Sequence, residues 1–169
     1  MINKITTLLL ALLTCSAYAE NTCEKIGGKI ENMQMNFSTS LGRLKGFNKK
    51  FCSFEINNGY ATLGLQSMNS KNTNIAASYV LNLPPIDENS PLWNGADNNP
   101  SHNVCKNLGG SYAQMVSNGA FSSALGENDI CVFGDGSMIS AWTLIYIANG
   151  RQGYHLIKDN IPSKALPLN

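Results

Sequence analysis

Residues 23–28 read Cys-Glu-Lys-Ile-Gly-Gly, and residues 105–110 read Cys-Lys-Asn-Leu-Gly-Gly. The similarity continues downstream. Phe51-Cys52-Ser53-Phe54 and Asn58-Gly59 come after the first stretch; Ile130-Cys131-Val132-Phe133 and Asp135-Gly136 come after the second. Farther on, Ser78-Tyr79-Val80-Leu81 matches Gly153-Tyr154-His155-Leu156. The offset is 82 residues at the first cysteine and 79 at the second. That period is too long for a solenoid and predicts a duplicated small domain.

The pattern implies a first unit over 20–83, a linker over 84–98 and a second unit over 99–169. The linker is rich in Pro, Asn, Asp and Gly (Pro84, Pro85, Asp87, Asn89, Pro91, Asn94, Gly95), which are turn and loop formers. Each unit opens with a short helix. In the second, Asn99 caps, Pro100 takes the first helical position, and Gly109 supplies the left-handed residue that ends the helix near Leu108. In the first, Asn21 or Thr22 caps and Gly27 ends it. Strands are expected after the helices. Over 51–56, Cys52, Phe54 and Ile56 alternate with Ser53 and Glu55, giving one buried and one exposed side. The run 138–148 is apolar on both faces and reads as a central strand. Its counterpart over 60–65 reads as weaker and more exposed, and tail strands are expected near Tyr79 and Tyr154. The Ser/Asn/Gly-rich stretches 32–50, 69–74 and 117–128 read as loops. The fold class expected is α+β: two related units, each a short helix disulfide-bonded to a small, mainly antiparallel sheet.

Residues 1–19 read as a secretory signal. They carry one early charge at Lys4, an apolar run over 8–13 and Ala17-Tyr18-Ala19 before the cleavage point. The run is too short to remain as a membrane anchor. Lipidation at Cys15 is the alternative, but Thr14 stands where such signals prefer a smaller residue. Cleavage leaves 150 of 169 residues and removes Lys4, so that 11 basic residues face 11 acidic ones. No basic footprint for phosphates is visible at this level, which makes nucleic acid and anionic membrane poor partners.

Four cysteines then remain: Cys23, Cys52, Cys105 and Cys131. In an exported chain this number reads as a disulfide frame. Three pairings are possible, and the duplication selects bonds within units, Cys23–Cys52 and Cys105–Cys131. Zinc is excluded by the absence of close Cys-x2-4-Cys pairs.

The series Asn99-Pro100, Cys105, Gly109-Gly110, Cys131, Asp135-Gly136 and Trp142 resembles a short bacterial domain of unknown function, found in exported proteins and lipoproteins labelled as hemolysins. The resemblance covers 99–150. Residues 21–65 keep only Cys23, Gly27, Gly28, Cys52 and Gly59. Ile139 replaces a cysteine of that pattern, and its last cysteine, near Gly150, is also missing. The resemblance implies an exported envelope module and brings no catalytic residues; the label says nothing of lysis.

Motifs of catalysis are lacking. His102 and His155 are the only histidines and read as surface or packing residues, because a catalytic base needs a matched partner. With every cysteine paired, no Cys–His nucleophile remains. No nucleophile elbow, zincin motif or phosphate loop occurs. Asp87-Glu88 reads as solvated linker. Asp97 with Asn94, Asn98 and Asn99 lacks calcium-loop spacing. Trp142 is expected in the core. Trp93, in the polar linker, is the candidate partner-binding residue, unless it packs as a clasp between units. The function expected is a non-enzymatic exported binding or assembly module, periplasmic or secreted, needing no cofactor. Its partner would be an envelope or extracellular protein, and no transmembrane segment is expected in the mature chain. A secreted peptidase inhibitor is the alternative.

Overall fold

The computed structural model describes residues 23–56, 59–117, 127–162 and 164–167. The expected signal (1–19), Cys15, and the caps Asn21 and Thr22 lie outside the described residues, as does most of the expected loop over 117–128. A helical turn over 23–25 leads into strands β1 (Lys29–Thr39), β2 (Gly42–Ile56) and β3 (Gly59–Gly64). Helices α1 (Leu65–Asn69) and α2 (Ile75–Asn82) come next, then a 3-10 turn at Pro91–Trp93. Helix α3 (Pro100–Asn107) precedes β4 (Ser111–Ser117), β5 (Glu127–Val132) and β6 (Met138–Ser140), and the chain ends with α4 (Ala141–Ala148) and α5 (His155–Asp159).

The six strands form one closed antiparallel barrel in the order β1-β2-β3-β6-β5-β4. This corrects the expectation of two helix-plus-sheet units. Two three-stranded sheets would leave four edges, and an open edge is a template for unwanted pairing. Here β1 pairs with β4 through Met33↔Ser117 to Asn36↔Gln114, and β3 meets β6 at Leu63↔Ile139. The second seam has one registered pair, and side chains extend it. Ser67 Oγ accepts from the Met138 N–H at 2.8 Å, and Thr143 Oγ1 accepts from the Thr62 N–H at 2.9 Å. Each belongs to the helix that succeeds a seam strand, so strand closure and helix docking are coupled.

Closure buries side chains on both faces of β3 and β6 and of the barrel-paired parts of β2 and β5. Met33, Phe51, Met115, Ile130 and Met138 fill the lumen. Cys52, Phe54, Ala61, Leu63, Cys131 and Ile139 point outward beneath the helices, against Val80, Leu144, Tyr154 and Ile157. Ser53, expected on an exposed side, faces inward instead; it is buried and shares a 3.3 Å hydrogen bond with Thr62. The run over 60–65 is correspondingly buried rather than exposed.

The other local corrections have identifiable causes. Only Met138–Ser140 of the run 138–148 is strand; Ser140 then caps a helix whose Ala141, Thr143, Leu144, Ile145 and Ile147 are all buried. Apolar residues on every side suit a covered helix as well as a covered strand. Trp142 lies on the flank of that helix, half-buried and stacked on Tyr146 at 5.6 Å, instead of in the core. Tyr79 lies in α2, and Tyr154 opens α5, so no tail strands form. The stretch 32–50 is largely the paired strands β1 and β2, not a loop.

Both expected disulfides are present, Cys23–Cys52 and Cys105–Cys131, with Cα–Cα distances of 5.7 and 5.6 Å. Each ties a helix to the middle strand of a three-stranded stretch. The two glycines after each helix do different jobs. Gly27 and Gly109 have φ of 84° and 81°, the left-handed geometry of a helix end. A Cβ on Gly28 would lie 2.7 Å from Cys52 Sγ, and one on Gly110 2.5 Å from Cys131 Sγ. The second glycine is therefore required by the bridge it touches.

Candidate functional site

Four polar or exposed regions stand out, and three are committed to holding the fold. The first is the β5–β6 turn. The Asp135 Oδ2 accepts from the Ile75 N–H at 2.7 Å, Ser137 Oγ accepts from the Ala76 N–H at 2.9 Å, and Asn74 Oδ1 accepts from the Ala77 N–H at 2.9 Å. These are the first three N–H groups of α2, donors that a helix cannot satisfy internally. The Asp-Gly-Ser turn thus clamps a helix that precedes it by 60 residues. It borders a polar cleft of about 370 Å³ that includes Lys49, Gln66 and Thr73. Partial burial works to raise the Asp135 carboxyl, but the Ser137 hydroxyl and the Ile75 and Ser137 amides outweigh it and hold the group below the ordinary carboxyl range.

This clamp should make stability depend on acid. A depressed folded value means that Asp135 contributes fully above the unfolded carboxyl value, about 4, and loses its contribution as pH falls through the lower folded value. Asp135→Ala should cost about 1–2 kcal/mol at neutral pH, the scale of a lost helix cap. Urea melts across the acid range should find the variant and wild type converging at the acid end. A constant gap would mean that the carboxylate charge plays no part.

The second region surrounds the Asn-Pro start of α3. Asn99 Oδ1 caps through the Ser101 N–H at 3.1 Å, while its Nδ2 donates to Asp129 Oδ2 on β5 at 2.7 Å. His102 Nε2 lies 3.2 Å from the same carboxylate oxygen, and its ring stacks on Tyr112 with centroids 3.7 Å apart. His102 is thus a packing residue that pins α3 to β4 and β5. His155 is exposed on α5. Asp97 is bound to Lys106 at 2.6 Å, and Asn103 accepts from the Asp97 N–H at 3.2 Å and donates to its carbonyl at 3.1 Å. Among the described residues, no group of three or more His, Cys, Asp or Glu could hold a metal ion.

Trp93 lies in the same neighbourhood. Its indole N–H donates to the Asp87 carbonyl at 2.7 Å, and its ring packs beside Ile86, Val104 and Ile145. It is half-buried. The segment carrying it is strapped down by Asn107, which donates to the Leu92 and Asn94 carbonyls at 3.0 and 2.8 Å. Asn149 holds Ile86 through its amide and carbonyl, at 2.7 and 3.2 Å.

The third region is a cleft of about 310 Å³ lined by Gly27, Lys29, Glu31, Ser53, Glu55 and Tyr60. The Tyr60 hydroxyl donates to the Glu31 carboxylate. Burial, and then that carboxylate, push the phenol up to about 12, so it remains a neutral donor at physiological pH. Glu31 is engaged, and the pair closes this end of the barrel.

The fourth region has no counterpart among the sequence expectations. β1 and β2 are the longest strands, at 11 and 15 residues. Among the described residues, Met33–Asn36 of β1 pair with β4, and Phe51–Ile56 of β2 pair with β3. Residues 37–50 therefore form an arm with its base: 37–45 run beyond the barrel's own pairings, and Asn48 and Lys49 pair with Gln34 and Met33 of the barrel wall. It bears three of the five exposed large apolar side chains among the described residues: Leu41 at 98%, Leu44 at 59% and Phe47 at 44% exposure. Lys45, Lys49 and Lys50 are exposed around them, and the Lys49 ammonium sits 5.7 Å from the Phe47 ring centroid. From residue 32 to residue 54 the sequence has four basic residues, Arg43, Lys45, Lys49 and Lys50, and no acidic one. The overall net charge of only +1 conceals this concentration, so the exclusion of anionic surfaces drawn from the whole-chain balance does not extend to the arm. The available signal is Met33, Met35 and Phe37, which recur at every second residue as in a strand.

The two disulfides belong to an oxidising, non-cytoplasmic setting. No helix among the described residues is long and apolar enough to cross a membrane. Comparison of the chain with family models, with curated proteins and with solved structures gave no match.

Proposed function

We propose that this chain is a non-enzymatic, exported binding module of the bacterial envelope or secretome, and that its contact element is the β1–β2 arm. One observation carries the reading: Leu41, Leu44 and Phe47 are exposed on a hairpin that pairs with β3 and β4 at its base. Single exposed apolar residues are ordinary, whereas a cluster on one projecting element marks a contact surface. The periplasm or the extracellular space is the compartment that fits a two-disulfide body. The resemblance over 99–150 to exported envelope domains agrees with this class, and its Asn99 and Asp135 serve here as helix clamps.

The peptidase-inhibitor reading has one point in its favour, the almost complete exposure of Leu41 at the arm's tip. However, Leu41 sits in a tight turn between Thr39 and Gly42, which are paired with each other. A peptidase cleft takes several consecutive residues in extended form, and a closed turn does not offer them.

Site-specific photocrosslinking tests the proposal. A photoreactive residue in place of Phe47 should give adducts in envelope or supernatant fractions, whereas one in place of Lys158, exposed on α5, should not. Equal labelling at both positions, or none at Phe47, would remove the arm as the contact element.

A further inference from the structure

We infer that the surface met by the arm is an anionic phospholipid membrane. This deepens the binding-module reading and rests on it. A register shift between Gln34 and Asn36 gives β2 one extra residue, so Leu44, opposite Phe37, shares a face with Lys49, opposite Met33, while Lys45 and Lys50, opposite Asn36 and Asn32, share the other. Leu41 occupies the turn at the end. Ammonium groups thus stand on both faces behind the apolar tip. A groove on a folded protein covers one face of a hairpin. The interfacial region of a bilayer closes around an inserted tip from every side.

Lys49 lies behind Leu44 on one face, and Lys45 and Lys50 lie on the other. Each face therefore carries at least one ammonium between the Leu41 tip and the barrel. Lysine stems lie along apolar surface while their charges reach the headgroups. A segment with basic residues and no acidic ones is attracted to an anionic leaflet, and the attraction fades within a Debye length. Shallow apolar insertion combined with such attraction is how peripheral elements hold a membrane.

The purified, disulfide-bonded protein should float with vesicles of phosphatidylglycerol mixed with phosphatidylcholine about tenfold more readily than with phosphatidylcholine alone, with the difference shrinking as salt rises. Lys45→Gln with Lys49→Gln should weaken binding to the mixed vesicles by about tenfold. Leu41→Ser with Leu44→Ser should abolish the binding that survives high salt. These side chains are exposed, so melting temperatures should not move. A Leu44→Trp variant gives an independent readout, a blue shift of its emission on adding mixed vesicles.

Equal flotation with both vesicle types, or unchanged binding by both double variants, overturns the inference. Self-association abolished by the same substitutions would also overturn it, by naming a second copy as the occupant. Protein adducts from position 47 without vesicle binding would defeat the lipid assignment and leave the binding-module reading standing. Failure of both assays would defeat both.

Discussion

Phe51→Ala should lower the stability of this protein by about 3–5 kcal/mol, the range for deleting a buried aromatic side chain. Phe51 is fully buried and is the one aromatic residue in the lumen cluster, among Met33, Met115, Ile130 and Met138. Opposite it on β3 stands Gly64, which contributes no side chain. A Cβ there would meet the Met138 carbonyl and Ser67 Oγ, each at 3.1 Å, so the glycine is required by the β3–β6 seam. Phe51→Leu should recover most of the loss, because the three methionines can shift into a smaller gap. Urea denaturation with the bridges intact measures both. A cost below about 1 kcal/mol for the alanine variant would mean that the lumen is loosely filled, contrary to the packing density of ordinary interiors.

The lumen also explains why the sequence points to a different architecture. Strand 51–56 alternates Cys52, Phe54 and Ile56 with Phe51, Ser53 and Glu55, and only the first set looks like core. Ser53 satisfies its hydroxyl inside the barrel through Thr62, a partner that local periodicity does not reveal. Closure depends on contacts between residues far apart in sequence, such as Leu63 with Ile139. Nothing within either segment announces that pairing. The run 138–148 is ambiguous for another reason, since an eight-residue helix buried on several sides has no polar stripe. The serine before it, three residues ahead of Thr143, is the one local helix signal.

The legible features have short-range causes. Asn99-Pro100 reads as a helix start from cap chemistry alone, and the structure has that helix at Pro100–Asn107. The disulfide pairing comes from cysteine number and repeated spacing. The arm is hidden because its Ser, Asn and Gly content outweighs its alternation, and because charge averages out over the whole chain. Exposure is a three-dimensional property: Leu44 and Leu63 are the same residue type in neighbouring strands, yet one is 59% exposed and the other fully buried.

The bridges should give the other large effect. Cys105–Cys131 and Cys23–Cys52 close loops of 26 and 29 residues. In the chain-entropy model each contributes about 3.5 kcal/mol. Cys105→Ala with Cys131→Ala should therefore cost about 3–4 kcal/mol. Removing both bridges should come near the whole stability of a domain of this size, about 5–15 kcal/mol.

Gly110 separates the bridge's two roles, as a crosslink and as a packed object. In the intact protein, Gly110→Ala brings its Cβ to 2.5 Å from Cys131 Sγ, 3.0 Å from Cys105 Sγ and 3.2 Å from the Cys105 carbonyl. It should cost about 1–3 kcal/mol by overpacking. In the background without that bridge both sulfurs are gone, and the added methyl falls in the space they leave. The same substitution should then cost less, and a double-mutant cycle reads the coupling directly. Equal costs in both backgrounds would show that Gly110 is required by its backbone and not by the disulfide beside it. Gly109→Ala is the internal control. Its φ of 81° penalises a side chain, and a Cβ there would meet nothing within 4 Å, so its cost should be the same with or without the bridge.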